Sequence, residues 1–250
     1  MKRPYKILLI LLGALVLLVV VVVANINRSR STVRGIEVNI RYGKAAPLVD
    51  EQTVRDSVLA AVPALLQHRV GDVDKSEVAA GAARVPYLMD VSVATSVSGK
   101  VVVRARQRRP IARLYYGGVE LYFDSEGIFM PASRLGYSNV LVAGGDFTEP
   151  LRTDSLSAQV IDLIALARYL DREKRYGELI DQIYSERDGD IMMVPKLGGH
   201  VVELGSVDDL DAKFANLLTF YRKGMPRAGW DTYSRVSLKF KDQVVCTKRK

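Results

Sequence analysis

The feature that most constrains this chain is an uncharged apolar run near its start, Ile7 to Ala24 (ILLILLGALVLLVVVVVA). As an α-helix, these 18 residues would be about 27 Å long, close to the thickness of the hydrocarbon core of a bilayer. The valine-rich part would suit a strand in water, but a lone strand in lipid leaves its backbone N–H and C=O groups unpaired. The run therefore predicts a single transmembrane helix over residues 7–24.

Cleavage and orientation of this helix are two further questions. Val22 and Ala24 fit the small-residue pattern of a signal-peptide cleavage site, but the run exceeds the usual apolar core of about 7 to 15 residues. An uncleaved anchor is therefore expected. Basic residues lie on both sides of the run, so the charge bias leaves the orientation open. They are Lys2, Arg3 and Lys6 before the run, and Arg28, Arg30 and Arg34 after it.

The net charge of +8 is spread along the chain, apart from small clusters at the two ends. A nucleic-acid-binding protein more often concentrates its basic residues on one helix or stripe, so nucleic acid is not expected as a partner. A weak attraction to anionic membrane or wall polymers stays open. Cys246 is the only cysteine, so no intrachain disulfide forms. Its apolar neighbours indicate a small core residue, with a reactive thiol as the alternative.

Residues 33–107 predict a small module of order β-α-α-β-β. Apolar residues alternate over Val33–Ile40, and Asp50 is placed to cap a helix that ends near Val62. Asp74 starts a second helix. Two strands, Leu88–Val97 and Lys100–Arg106, then flank the tight turn Ser98-Gly99. One sheet covered by two helices is a plausible self-contained core.

Residues 108–250 predict a larger β-rich domain with two helices. The first helix carries an apolar stripe from Leu156 to Leu170 and is capped by Asp154 or Ser155; the second opens on a capping box, Ser206 and Asp209. The predicted strands are Ile111–Tyr116, Val119–Phe123, Ile128–Met130, Val140–Val142, Ile180–Glu186, Ile191–Pro195, His200–Leu204, Tyr233–Phe240 and Gln243–Thr247. The whole chain is thus of the α+β class.

The sequence offers little for catalysis. The Gly-Lys pairs at 43–44 and 99–100 lack the earlier glycine of a phosphate-binding loop. His68 and His200 have no partners at metal-ligand spacing and are expected at the surface. The carboxylate pairs 124/126 and 188/190 fall in turns, where Asp and Glu are common for local reasons. We therefore expect no enzyme, metal or cofactor.

Six short motifs follow the apolar run in order: Val33–Val38 (VRGIEV), Val85–Val93 (VPYLMDVSV), Val101–Ala112, Phe123-Asp124 with Gly127, Val201–Gly205 (VVELG) and Val236–Phe240 (VSLKF). Taken together and in this order, residues 7–247 resemble the bacterial cell-division family FtsQ/DivIB. Gln107 stands where the family often has Glu, and Ser237 where it usually has Asp.

The resemblance implies a non-catalytic divisome scaffold at the septum, a single-pass inner-membrane protein with a cytoplasmic N-terminus and a periplasmic bulk. Its parts would be a tail (1–6), a transmembrane helix (7–24), a tether (25–32), a POTRA-like domain (33–107) and a β domain (108–250). The implied partners are FtsB-like and FtsL-like proteins, followed by FtsK-like, FtsW-like and FtsI-like divisome proteins.

The resemblance also implies that the last strands bind a partner segment along an exposed edge, where unpaired backbone groups are available. Lys239 would pair with an acidic partner residue; the alternative is a solvated lysine that prevents edge-to-edge aggregation. A different class stays open, a POTRA-containing envelope-assembly or secretion component, although such modules usually occur in tandem. The implied partner-binding residues are Val236, Leu238, Lys239, Phe240, Gln243 and Val244.

Overall fold

The computed structural model describes residues 11–20, 22–23, 31–136, 138–147, 149–152 and 155–250. The chain divides into two compact units, Met1–Arg108 and Arg109–Lys250. Both units combine helices with a sheet, so the structure is of the predicted mixed α+β class.

The apolar run at the start of the chain is helical where the structure describes it. Residues 11–20 and 22–23 are in helical conformation, and their leucine and valine side chains are exposed. Within the described residues, no helix has both the length and the apolar character needed to cross a membrane. Residues 7–10, 21 and 24 of the predicted transmembrane segment lie outside the described residues, as do the tail at 1–6 and residues 25–30 of the tether.

The first unit has one three-stranded sheet, and its strand order is β1-β3-β2. Strand β1 is parallel to β3, and β2 is antiparallel to β3. Two short 3₁₀ turns, Leu65–Gln67 and Val70–Asp72, link its helices. The elements are β1 (Ile36–Arg41), α1 (Glu51–Ala61), α2 (Lys75–Ala83), β2 (Leu88–Thr95) and β3 (Val101–Gln107).

Local chemistry explains where the two helices of this unit begin. The Asp50 carboxylate accepts a hydrogen bond from the Thr53 backbone N–H at 2.7 Å, and Asp74 accepts one from the Ser76 N–H at 2.8 Å. Each carboxylate satisfies a backbone donor that the first turn of a helix leaves unpaired. Both predicted N-caps are therefore confirmed.

The second unit has a nine-stranded sheet of order β12-β11-β10-β9-β8-β7-β4-β5-β6. The pairs β4–β7, β7–β8 and β10–β11 are parallel, and the others are antiparallel. All nine predicted strands are present. They are β4 (Pro110–Tyr116), β5 (Val119–Asp124), β6 (Phe129–Pro131), β7 (Leu141–Gly145), β8 (Ile180–Ser185), β9 (Ile191–Pro195), β10 (Val201–Gly205), β11 (Tyr233–Ser237) and β12 (Val245–Lys248).

Two long helices pack on this sheet, α3 (Ala158–Arg172) and α5 (Leu210–Lys223). Each is followed by a single helical turn that the sequence did not predict, α4 (Lys174–Gly177) and α6 (Met225–Ala228). The buried residues of the long helices recur at intervals of three and four, which places them on one helix face. They are Val160, Leu163, Ile164, Leu166, Ala167, Tyr169 and Leu170 on α3, and Phe214, Leu217 and Tyr221 on α5.

The predicted caps of these two helices are wrong. Helix α3 starts after Ser157, whose side chain makes no capping bond, and Asp154 lies outside the described residues. Asp209 precedes α5 in a left-handed conformation (φ 51°) and its side chain makes no capping bond either. Instead, the Lys213 ammonium reaches back to the carbonyl oxygens of Leu204 (3.1 Å) and Ser206 (2.8 Å). This contact ties α5 to the end of β10, but it does not cap the helix, because an ammonium group donates and cannot accept from the N–H groups of the first turn.

Gln107, the residue that departs from the family pattern, holds a loop of the first unit. Its buried amide oxygen accepts from the Leu48 backbone N–H at 2.7 Å, and its amide nitrogen donates to the Ala46 carbonyl at 3.0 Å. Gln107→Ala removes both bonds, so we expect the first unit to lose about 1 to 3 kcal/mol of unfolding free energy. Urea denaturation and amide hydrogen exchange at Leu48 measure this loss. The exposed Gln52→Ala on α1 is the matched control, with an expected change within about 0.5 kcal/mol.

Candidate functional site

The candidate site is the sheet edge formed by β12. Strand β11 lies between β10, to which it is parallel, and β12, to which it is antiparallel. In the part of the chain that the structure describes, β12 pairs with β11 alone. Since a strand with one neighbour leaves half of its backbone N–H and C=O groups unpaired by a ladder, β12 can accept one further strand.

The opposite edge of the same sheet is less suited to strand addition. Strand β6 is only three residues long and ends at Pro131, which has no backbone N–H to donate. Strand β12 has four residues, Val-Cys-Thr-Lys, and each of them carries a backbone donor and acceptor. Between the two edges, β12 therefore offers the better ladder for a partner segment.

Two of the predicted site residues, Val236 and Leu238, are buried in the core of the second unit. Val236 is paired with Val202 of β10 on one side and Cys246 of β12 on the other. The Leu238 N–H donates to the Glu203 carbonyl at 2.8 Å, which continues the pairing beyond the end of β11. These two side chains pack in the core and do not face solvent. They hold β11 in place, and β11 in turn positions β12.

Lys239 is partly exposed and is already engaged within the unit. Its ammonium forms a hydrogen-bonded ion pair with Asp190 and lies 3.9 Å from a carboxylate oxygen of Glu203. The bond to Asp190, followed by the nearby carboxylates, raises the pKa of Lys239. A partner carboxylate at this position would have to share the ammonium with Asp190.

Phe240 and Gln243 are exposed, and they lie in a turn between the last two strands. The predicted strands Tyr233–Phe240 and Gln243–Thr247 extend too far into this turn: β11 ends at Ser237 and β12 begins at Val245. The reason is local geometry. Asp242 has a left-handed backbone (φ 58°), and the Gln243 N–H donates to the Phe240 carbonyl at 3.3 Å, which closes the turn.

Val245 is an exposed apolar residue of the edge strand that the sequence analysis missed. Val244 and Cys246 pack against the core, and burial raises the pKa of the Cys246 thiol. Because side chains alternate along a strand, Val245 points to the other face, where it is 44% exposed. Phe240, in the adjacent turn, is 54% exposed. The alternation of Val244, Val245 and Cys246 was the signal that could have identified Val245.

The segment after β12 is fixed by Arg249. Its backbone N–H donates to the Thr232 carbonyl at 2.9 Å, and its guanidinium donates to the Gly199 carbonyl at 2.6 Å. Gly199 belongs to the turn that leads into β10. The far end of the edge strand is therefore held by two bonds to loops of its own unit.

His200, which follows that turn, was predicted at the surface, and this prediction is wrong. The residue is only 2% exposed, and its Nε2 atom lies 2.7 Å from the Tyr221 hydroxyl. Gly198 makes this burial possible, because a Cβ on that residue would lie 2.8 Å from the His200 Nδ1 atom. Burial, assisted by the nearby Arg249, lowers the pKa of His200 below its usual value. Among the described residues, Nδ1 of His200 has no hydrogen-bond partner.

The buried His200 makes stability depend on pH. Its folded pKa is depressed, so the unfolded chain binds the proton first as the pH falls through the usual value of 6.5. Above that pH, His200 is neutral in both the folded and the unfolded chain, so it does not reduce the unfolding free energy. We expect the unfolding free energy to fall between pH 7 and 5, by about 1.4 kcal/mol per pH unit at most. His200→Gln should flatten this slope in urea titrations; a slope equal to that of the unmodified chain would contradict the assignment.

Two of the four carboxylates that the sequence placed in turns, Asp124 and Asp188, stabilise those turns. An Asp124 oxygen accepts from the N–H groups of Glu126 (2.9 Å) and Ile128 (3.0 Å), and Asp188 accepts from the Asp190 N–H (3.1 Å). In the described part of the chain, no group of three or more His, Cys, Asp or Glu side chains is arranged to hold a metal ion. We therefore define the candidate site by the open backbone edge of β12 and the exposed side chains beside it.

A family model described as FtsQ/DivIB, C-terminal related, matches residues 109–247, which is more than half of the chain. The matched range begins at the second unit and runs into β12. No curated protein matches the chain.

Proposed function

The chain belongs to the FtsQ/DivIB family of cell-division proteins, and from this membership we propose that it is a non-catalytic scaffold of the divisome. The observation that carries the proposal is the family match across the second unit. In this role the chain links early and late division proteins at the septum by binding them.

The binding mode that we propose is the addition of a partner strand to β12. The partners are FtsB-like and FtsL-like proteins, with FtsK-like, FtsW-like and FtsI-like proteins as further contacts. Support comes from the position of β12 at the end of the sheet, since main-chain hydrogen bonds along such an edge provide affinity for an extended peptide. Specificity then comes from side chains that flank the edge, above all Val245 and Phe240.

The other predicted site residues have smaller parts in this proposal. Val236 and Leu238 fix the strand beneath the edge, and Val244 packs against the core. Gln243 lies exposed in the turn beside Phe240. Lys239 meets an acidic partner residue only by sharing its ammonium with Asp190, so it adjusts partner preference more than affinity.

We also propose the membrane arrangement that the apolar run suggests. Residues 7–24 anchor the chain in the inner membrane, the short tail at 1–6 is cytoplasmic, and the two units are periplasmic. The first unit serves as a POTRA-like module, a proposal supported by its β-α-α-β-β order. The alternative is an envelope-assembly or secretion component, which uses similar modules.

Depletion of the protein in its host separates these two functions. Loss of a divisome scaffold blocks septation, so depleted cells should grow into filaments without septa. Microscopy with a membrane dye measures this directly. Normal division combined with defects in the outer envelope would overturn the divisome proposal and support the alternative.

Substitutions on the β12 edge test the binding mode. Phe240→Ala removes an exposed aromatic side chain, and Val245→Glu places a charge where we propose that the partner lies. Each should weaken binding of the FtsB-like partner about tenfold or more, because burial of one large apolar side chain contributes about 1.5 to 3 kcal/mol. Titration calorimetry with the purified full-length chain measures the dissociation constants.

Val119→Glu is the matched control for Val245→Glu. Val119 is similarly exposed but lies on β5, near the other end of the sheet. The control should bind the partner like the unmodified chain, and circular dichroism should show all three variants folded. Undiminished binding by both edge variants would remove β12 as the site.

A further inference from the structure

Three arginines form a basic cluster on the first unit, on the face of its sheet that the helices leave open. Strand pairing sets the cluster: Arg41 of β1 is the direct neighbour of Arg106 of β3, and Asn39 is the neighbour of Arg104. Arg104 is in turn paired with Ser92 of β2. Arg104 and Arg106 therefore lie two positions apart on β3, with Arg41 of β1 opposite Arg106, and all three residues are exposed.

This arginine cluster is only partly neutralised by the chain itself. Arg106 forms an ion pair with Asp90, with nitrogen and oxygen 2.6 Å apart. Among the described residues, neither Arg41 nor Arg104 has an ion pair or a side-chain hydrogen bond. Like charges on neighbouring strand positions repel each other and reduce stability. Arg41 and Arg104 lie diagonally across the β1–β3 ladder, and two guanidinium groups without partners on one sheet face favour an anion as a ligand.

The shape and chemistry of the cluster suit a phosphate group. The arginines border a hollow of about 600 Å³, whose lining also includes Asn39, Ser92 and the two carboxylates Glu51 and Asp90. Guanidinium groups bind phosphate oxygens through two parallel N–H donors. Three arginines and two carboxylates give the hollow a net positive charge, and Asp90 is already paired with Arg106.

The length of the tether indicates which phosphates are near. The first unit holds the chain from Ser31, whose carbonyl accepts from the Val70 N–H at 2.8 Å. Only residues 25–30 separate Ser31 from the apolar run, and six residues extend at most about 20 Å. A unit tethered this closely meets lipid headgroups at high effective concentration. This step rests on the membrane anchor of the proposed function.

We propose that the Arg41, Arg104 and Arg106 face binds the phosphates of anionic phospholipid headgroups in the membrane that anchors the chain. Binding of this kind holds the first unit at the bilayer surface. It depends on lipid charge and weakens as salt screens the arginines.

The test uses the full-length chain in lipid nanodiscs. A bimane label is attached at Ala94→Cys, on the same sheet face, in a Cys246→Ser background, and a headgroup nitroxide lipid serves as the quencher. Discs contain phosphatidylcholine alone or with one third phosphatidylglycerol. We expect strong quenching only in the anionic discs, with loss of quenching at high salt. Arg41→Gln/Arg104→Gln should reduce the equilibrium constant for contact between the unit and the membrane about fivefold for each arginine removed.

A matched control removes the same charge from the helical side of the unit. Lys75→Gln/Arg84→Gln, at α2 and its C-terminal end, should retain the quenching. Equal quenching in both disc types, or equal loss in both double variants, would overturn the proposal. If inorganic phosphate abolishes the quenching where sodium chloride of equal ionic strength does not, the site takes free phosphate and the lipid assignment fails.

Two other outcomes separate this proposal from the anchor on which it rests. If the full-length chain does not co-elute with the discs, the anchor and the lipid contact both fail. If it co-elutes but only an acidic peptide, polyglutamate, alters the bimane emission, the anchor stands and the arginine face is a protein-binding surface.

Discussion

The contact on which the second unit depends is an aromatic cluster between its helices. Tyr169 of α3, Tyr176 of α4 and Phe214 of α5 are buried, and the Phe214 ring lies 5.3 Å and 5.0 Å from the two tyrosine rings. The Tyr169 hydroxyl donates to Asp211 at 2.8 Å, and burial, followed by this bond, raises the pKa of Tyr169. The cluster fixes α5 beside α3 on one face of the sheet.

The position of α5 determines which strand becomes the edge. Strand β10 leads into α5, and the chain returns through α6 to β11, which pairs with β10 in parallel. A parallel return needs a crossover of this kind. Once β11 is in place, a short turn brings β12 against its free side, and among the described residues β12 has no other strand neighbour. Helix packing thus fixes β11, and with it the position of β12 at the edge.

Periodic features of this fold were predictable from the sequence. The apolar stripes of α3 and α5, the alternation in the strands and the caps at Asp50 and Asp74 depend on neighbours within a few residues. Features that depend on distant residues were not. Burial of His200 needs Tyr221, 21 residues later in the chain, and the ion pair of Lys239 needs Asp190, 49 residues earlier. The last two strands were predictable and β12 does lie at the sheet edge, but the sequence analysis did not name Val245, which is exposed on that edge.

The two units differ in whether the basic side chains on their sheets have ion-pair partners, and this difference distinguishes their proposed roles. In the second unit, Arg235 of β11 and Lys239, just after that strand, are already close to Glu203 and Asp190. The strand addition proposed there depends on backbone hydrogen bonds and apolar contacts, which salt screens little. On the first unit, Arg41 and Arg104 lack such partners among the described residues, so the lipid contact proposed there depends on long-range attraction that salt weakens. One chain can thus combine a salt-tolerant partner contact with a salt-sensitive surface contact.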